Sequence, residues 1–309
     1  MTRYLITGIG GDIAQGIARI IRSYEKDAFI TGTDISTQHA GHLFVDEFIE
    51  TLPAANSQYI DRLKDIIKKF EIMFLIPTTE PEIEMLVKHL KEFEDVKVLY
   101  PGKKVVEECL DKYKTNKFLS SLGIDVPWTY TDVKNDPIQY PCIFKPRKGS
   151  GSKILFQVQD ASEAEFLQKK YDECIFQELL LPKENEITCP VFRSSKGLIH
   201  TIQLQRLLYE GTTSWAKVVF YEEIDALCEK VAQSINLNGS MNIQLRLTDS
   251  GPKIFEINPR FSSTVYMRHL VGFQDLIWNL QDMLGEDIEY TQIKKGIQMV
   301  RTQSGEILN

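Results

Sequence analysis

The sequence predicts an α/β fold over its first hundred residues, passing into α+β structure in the C-terminal part. Three observations carry this. Strand-like and helix-like segments alternate up to about residue 100, a Gly-rich turn joins the first strand to the first helix, and from 187 onward the pattern becomes β-rich. The length of 309 residues suits about two domains, each large enough to bury its own core.

In chain order, residues 3–7 are an apolar run that turns at once into Gly8, so they read as a strand, and 12–23 as the helix that follows. Strands are expected at 28–33, 72–76 and 96–100, and helices at 57–70 and 81–93. The helix at 57–70 has Asn56 or Ser57 as its cap and Ile60, Leu63, Ile66 and Ile67 at helical spacing. Pro101-Gly102 opens a helical stretch from Lys103 to Ser121 that ends near Gly123. Pro127 begins short strands and helices that reach about 181, and further helices are expected at about 222–235 and 273–284.

Charge narrows the function. There are 36 Lys+Arg against 43 Asp+Glu, a formal net charge of −7, which argues against non-specific nucleic-acid binding. The balance does not exclude a small anion, because Lys145, Arg147, Lys148 and Lys153 cluster round one Gly loop. The N-terminus reads as a strand rather than a leader, and no apolar stretch approaches the ~20 residues of a membrane span. The five widely spaced cysteines, with no CxxC, read as reduced thiols, so a cytoplasmic location is expected. The histidines show no metal-ligand spacing.

The turn Gly8-Ile9-Gly10-Gly11-Asp12-Ile13, with Asp34 ending the next strand, suggests a Rossmann-like domain. The third glycine of a dinucleotide fingerprint is replaced by Ile13, although Gly16 is near, so the fold is expected without NAD. Glu80, after Pro77-Thr78-Thr79, stands at a strand's carboxyl end and reads equally as a substrate contact or as a first-turn helix acid.

The sharpest local signal is Met241–Leu247, the turn Thr248-Asp249-Ser250-Gly251-Pro252, and Lys253–Arg260. Both flanks alternate apolar and polar residues, so a hairpin is expected. A turn centred on Ser250 sets Gln244 opposite Glu256 and Asn242 opposite Asn258, with Phe255 and Ile257 facing a core. Oxygen ligands of this kind suit Mg²⁺ that also holds phosphate; a solvated polar face is the plainer alternative. Upstream, Tyr140–Lys153 is a strand ending in Lys145, followed by the loop Gly149-Ser150-Gly151-Ser152, whose backbone N–H groups can approach phosphate. The segment Cys174–Pro182 runs from a strand into Glu178-Leu179-Leu180, where backbone groups could meet an adenine edge.

Together these elements resemble the ATP-grasp superfamily, in particular one synthetase half of the carbamoyl-phosphate synthase large subunit and short ligases such as the pyrrolysine-biosynthesis ligase. The resemblance implies a Rossmann-like pre-ATP-grasp domain (1–102), a small lid subdomain (103–181) and a C-terminal ATP-grasp subdomain (182–309). It implies ATP contacts from Lys112, Lys145, Gly149, Ser150, Gly151, Ser152, Glu178, Leu179 and Leu180, with Glu184 or Glu186 at the ribose. It implies metal ligands at Gln244, Glu256 and Asn258 for Mg²⁺, with Mn²⁺ as a substitute, and Arg260 beside the γ-phosphate and acyl phosphate, with Lys145 also catalytic. Gln244 departs from the acidic residue frequent in the family, leaving Glu256 as the clear carboxylate. Arg206, Lys217, Arg268 and Arg301, with Glu80, are candidates for an anionic substrate.

The implied chemistry is ATP-dependent amide formation between a small-molecule carboxylate and an amine, by way of an acyl phosphate, with release of ADP and phosphate. No nucleic-acid or membrane partner is expected, and a homodimer is compatible. The three segments take up nearly the whole length, which favours a stand-alone ligase. Carbamoyl-phosphate-type phosphoryl transfer, a non-catalytic nucleotide-binding module and an NAD-dependent oxidoreductase are the competing readings.

Overall fold

A computed structural model describes residues 1–149 and 154–302. Its first layer is a parallel five-stranded sheet in the order β3-β2-β1-β4-β5, formed by β1 (Arg3–Thr7), β2 (Phe29–Asp34), β3 (Glu47–Glu50), β4 (Phe74–Ile76) and β5 (Lys97–Val98). Helices α1 (Asp12–Tyr24), α2 (Tyr59–Phe70) and α3 (Glu80–Lys88) make the crossovers. The helix expected at 57–70 starts at Tyr59. Its N-cap is Gln58, without a side-chain cap, and Asn56 instead accepts a hydrogen bond from the Gln58 N–H.

The single helix expected over 103–121 is two, α4 (Lys103–Cys109) and α5 (Lys112–Ser121). The break has a local cause. Asp111 is extended, and its carboxylate accepts the N–H groups of Tyr113 and Lys114, capping α5. Such a cap is worth about 1 kcal/mol, and here it also fixes where Lys112 begins its helix.

An antiparallel four-stranded sheet follows, ordered β6-β9-β7-β8, from β6 (Thr129–Tyr130), β7 (Cys142–Pro146), β8 (Phe156–Val158) and β9 (Cys174–Glu178), with α6 (Ala161–Lys170) packed on it. A second antiparallel sheet contains β10 (Glu186–Arg193), β11 (Ile199–Thr201), β12 (Gln203–Tyr209), β13 (Thr212–Val219), β14 (Gly239–Thr248), β15 (Gly251–Asn258) and β16 (Gln298–Val300), in the order β15-β14-β10-β12-β13-β16, with β11 beside β10. Helix α7 (Glu222–Ser234) covers one face of it through Cys228 and Val231 against Cys189 and Val191. Beyond β15, α8 (Val265–Leu270) and α9 (Asp275–Leu284) pack back on the N-terminal domain, placing Phe261, Val265 and Leu276 in one core with Ile6, Ala14 and Ile17. The cysteines form no disulfide. Among the described residues no helix is long and apolar enough to cross a membrane.

Candidate active site

The β14–β15 hairpin is the floor of the site. Asn242 pairs with Asn258 and Gln244 with Glu256, as the alternation predicts. The turn itself is shifted: Thr248 pairs with Gly251 across Asp249-Ser250, and the register changes between Gln244 and Leu245. Phe255 is the extra residue of this bulge. Expected to face the core with Ile257, Phe255 is instead half-buried, and Ile254 fills the core beside Ile257. Its ring lies 5.3 Å from Lys145 Nζ and 5.7 Å from the Arg246 guanidinium carbon, forming an aromatic wall for two cations.

Period-two spacing brings the polar side chains into one connected row. Thr188 donates to Asn242 Oδ1, Asn242 and Gln244 both donate to Asn258 Oδ1, and Asn258 donates to Glu256 Oε1 at 2.8 Å. Gln244 Oε1 accepts from Arg206 at 2.8 Å, so a cation already engages its oxygen. Burial works against ionisation of Glu256, yet Lys112, Lys145, the Asn258 amide and Arg260 outweigh it and hold the carboxyl below its ordinary range.

The cations come from three elements. Lys145 is buried at the end of β7; desolvation lowers its pKa to about 8, against the opposing attraction of Glu256. Lys112 opens α5, lies 3.7 Å from Glu256, and donates to the Gly149 carbonyl at 2.7 Å. Arg260, just beyond β15, reaches Glu80 Oε1 of α3 at 3.0 Å. Glu80 is therefore brought to the site edge as an arginine partner.

Glu186 accepts from Arg206 and Arg246, whereas the Glu184 side chain is exposed in a short 3₁₀ turn. At the hinge, the Glu178 carboxylate pairs with Lys253, and the Leu180 carbonyl accepts from Arg246. Leu180 is buried and Leu179 half-buried. Among the described residues, Lys112, Lys145, Arg206, Arg246 and Arg260 face Glu80, Glu186 and Glu256, a surplus of positive charge suited to a polyanion. Arg246 carries no role in the sequence reading. Its signal was present, since it follows Gln244 by two residues and so shares its face.

Other expected residues lie elsewhere. Arg206 braces Glu186 and Gln244 rather than standing free. Lys217 pairs with Gln205, while Arg206 pairs with Ala216, so the pleat sends Lys217 to the opposite face of the sheet. Arg268 is fully buried; it makes two hydrogen bonds to Asp275 and further ones to Ser262 and Thr264, which corrects its expected substrate contact. Arg301 ties the carbonyls of Thr213 and Ser263 to Asp12, at the seam between domains. Of the basic cluster at the Gly loop, Arg147 is bound by Asp111 at 2.6 Å and Lys148 pairs with Glu84. Ser150, Gly151, Ser152 and Lys153 fall outside the described residues.

The glycine turn is filled by the chain itself. Asp34 accepts the Gly10 N–H at 2.9 Å, the Gly8 carbonyl accepts that of Gly11, and Thr33 accepts that of Ile9. The His39 ring packs so closely on Gly10 that an added Cβ would meet it at 2.7 Å. Gly16 makes a close approach, but to Val265 and Tyr266 of α8 rather than to a strand. In this arrangement these N–H groups are taken up by Asp34, Gly8 and Thr33.

The donor set fits a hard cation that brings most of its ligands with it. Among the described residues no three His, Cys, Asp or Glu side chains cluster as a metal site. One carboxylate held below its ordinary range, Glu256, adjoins the Asn258 carboxamide, whose Oδ1 accepts from Asn242 and Gln244; both oxygens reach one cation only if Asn258 exchanges those hydrogen bonds for it.

Comparisons with known proteins agree with this geometry. The ATP-grasp domain model matches residues 109–264, and the PylC-like N-terminal domain model matches residues 5–100. The uncharacterized protein MJ0776 of Methanocaldococcus jannaschii is 28% identical over 201 residues, covering 60% of this chain and 51% of its own. A D-alanine–D-alanine ligase of Fusobacterium nucleatum is 25% identical over 174 residues, covering 52% of this chain and 60% of its own. The chain thus spans between about half and three fifths of the length of these curated relatives. The crystal structure of N5-carboxyaminoimidazole ribonucleotide synthetase from Thermus thermophilus superposes with a TM-score of 0.78 at 15% identity, covering 96% of this chain and 82% of that one.

Proposed function

Because the chain belongs to the ATP-grasp family, we propose that it is an ATP-dependent ligase joining a small-molecule carboxylate to an amine through an acyl phosphate. The observation that carries the reading is the convergence of Lys112, Lys145 and Arg260 on Glu256, a cradle with more positive than negative charge. In the first step a carboxylate oxygen of the substrate attacks the γ-phosphorus of ATP. The bond to the β-phosphate bridging oxygen breaks, and ADP leaves. In the second step the amine nitrogen attacks the acyl carbon, phosphate leaves, and the nitrogen loses a proton to give the amide.

Neither step needs a nucleophilic side chain, so the protein's part is positioning and charge neutralisation. Lys112 and Lys145 would hold phosphate oxygens from the lid side, and Arg260 would stabilise charge on the transferring phosphoryl group. The Leu179–Leu180 backbone would meet the adenine, and Glu184, exposed and without an arginine partner among the described residues, would take the ribose hydroxyls. Glu186 would brace the two arginines. Glu256 and Asn258 would hold Mg²⁺, or Mn²⁺ in its place. Gln244, its oxygen already engaged by Arg206, would orient Asn258. When bound, the metal neutralises phosphate charge and fixes the geometry for in-line transfer. The Gly149–Ser152 loop would exclude water from the acyl phosphate.

ADP release measured with ATP–Mg²⁺ over pools of small carboxylates and amines, with mass spectrometry of any product, tests the reading. ATP binding without ADP release from any pair, or thermal stabilisation by NADH but not by ATP–Mg²⁺, would count against it.

A further inference from the structure

Arg260 does not extend freely into the cradle. Its Nη1 donates to the Phe261 carbonyl and its Nη2 contacts Glu80 Oε1 at 3.0 Å, and the two side chains are only 10% and 9% exposed. The partners come from different domains whose backbones are pinned. On one side Glu80 begins α3, and that segment is held by Thr78 donating to the Thr7 carbonyl and by Thr7, Tyr59 and Thr79 donating to Glu82. On the other side Phe261 and Val265 share a core with Ile6 and Ile17, and a Cβ on Gly16 would lie 3.2 Å from Val265 and Tyr266. Domain movement therefore cannot part the pair cheaply, while rotation of the Arg260 side chain can. A buried carboxylate stripped of its cation is strongly disfavoured, and Arg260 supplies the one ion pair Glu80 makes among the described residues.

We propose that Glu80 is a positioning residue that holds Arg260 in reserve. Arg260 turns to the γ-phosphate when the ammonium group of the amine substrate takes its place at Glu80. The inference rests on the ligase reading and deepens it, for it makes the second substrate an amine that binds as a cation and gives one proton to the Glu80 carboxylate before its nitrogen, now with a lone pair, attacks the acyl carbon. Triphosphate and ammonium binding then favour each other, by the same factor in both directions. Without the amine, Arg260 stays on Glu80 and ATP is spared hydrolysis.

Calorimetric titration of β,γ-imido-ATP–Mg²⁺ and of ADP–Mg²⁺ into the whole protein tests this. Glu80→Gln is expected to bind the triphosphate at least about tenfold tighter with ADP affinity unchanged, since a charged competitor for the guanidinium is gone. Glu80→Asp, which keeps the charge on a shorter arm, gives a smaller gain in the same direction and serves if Glu80→Gln folds poorly. Methylammonium chloride should tighten triphosphate binding in the parent protein, relative to sodium chloride of equal ionic strength, and leave Glu80→Gln unmoved. An unchanged triphosphate-to-diphosphate ratio in both Glu80 variants, or no methylammonium effect, overturns the proposal. Arg260→Gln separates the two levels. If it lowers the ratio while the Glu80 variants leave it unmoved, the ligase reading stands and the reserve role falls; if it too leaves the ratio unmoved, Arg260 is not at the γ-phosphate.

Discussion

Two regions of this molecule set a carboxylate near the end of a strand, and they do opposite things with its charge. At the Gly8–Gly11 turn, Asp34 accepts the Gly10 N–H, the Gly11 N–H is used by Gly8, and the His39 ring fills the space above. The backbone N–H groups of Ile9, Gly10 and Gly11 are thus taken up by the chain itself. At the Lys145–Glu256 cradle, five cations face three carboxylates among the described residues, and desolvation already lowers the pKa of one lysine to about 8. A Gly-rich turn after a strand is therefore no sign of an anion site by itself. What marks one is charge that the chain leaves uncompensated.

The sharpest way to break this contrast is to remove a cation from the cradle. Arg260→Ala should reduce ADP release with a productive substrate pair by about 10²- to 10³-fold, the usual cost of losing a preorganised charge at a transition state. Its thermal midpoint should also fall, because Glu80, itself buried, loses its cation, so ADP release is read per folded molecule. Arg268→Ala is the matched control. Its guanidinium is buried on Asp275, so it should cost about 3–5 kcal/mol of stability, as breaking a buried ion pair does. Its ADP release per folded molecule should be little changed. Denaturant unfolding alongside ADP release checks both. An inactive but fully stable Arg268→Ala would return that residue to the site.

How much of this contrast the sequence discloses depends on the range of the interaction. The hairpin pairing of Gln244 with Glu256 is legible from alternation and turn chemistry, yet it holds for a compensated reason: the turn is displaced, and the bulge at Phe255 restores the register. The same bulge is why Phe255 faces Lys145 rather than the core. Long cations are less legible because their partners lie far away in sequence. Arg147 and Lys148 look like phosphate ligands beside the Gly loop, but Asp111 and Glu84 take them. The surplus charge instead gathers from Lys112, Arg206, Arg246 and Arg260, on four different elements. Helix breaks are intermediate. Asp111 is a good cap by residue type, but only the cap geometry splits 103–121 in two.

A smaller effect concerns pH. Burial lowers the Lys145 pKa to about 8, below its ordinary value of 10.5. Between those values the unfolded chain binds the proton and the empty folded protein does not, so this group's contribution makes stability rise with pH across that window. Phosphate binding has the opposite trend, since it needs the charge. Affinity for ATP–Mg²⁺ should fall by at most about tenfold per pH unit above pH 8. Lys145→Arg, which stays charged, should flatten the profile while retaining binding. A parent profile that is already flat to pH 10 would mean that Lys145 does not meet the phosphates.

The smallest expected effect tests the quiet region and the wrong face together. Gly10→Ala presses a Cβ against His39, and overpacking of this kind costs about 1–3 kcal/mol. Its KM for ATP should nonetheless match the parent's, because the turn contributes no donor to a nucleotide. Lys217→Ala should change neither stability nor KM by more than about twofold, since surface substitutions away from special features stay within about ±0.5 kcal/mol. Lys217 and Arg206 lie on adjoining strands, but their partners Gln205 and Ala216 put them on opposite faces. A rise in KM for Lys217→Ala would require β13 to pair with β12 one residue out of step, which would turn Lys217 to the site face while the β10–β12 pairing keeps Arg206 beside Glu186. The KM of Lys217→Ala thus checks the β12–β13 register and should be unchanged, while the stability of Arg206→Ala checks the β10–β12 side and should be lowered, because Glu186 and Gln244 lose a shared cation.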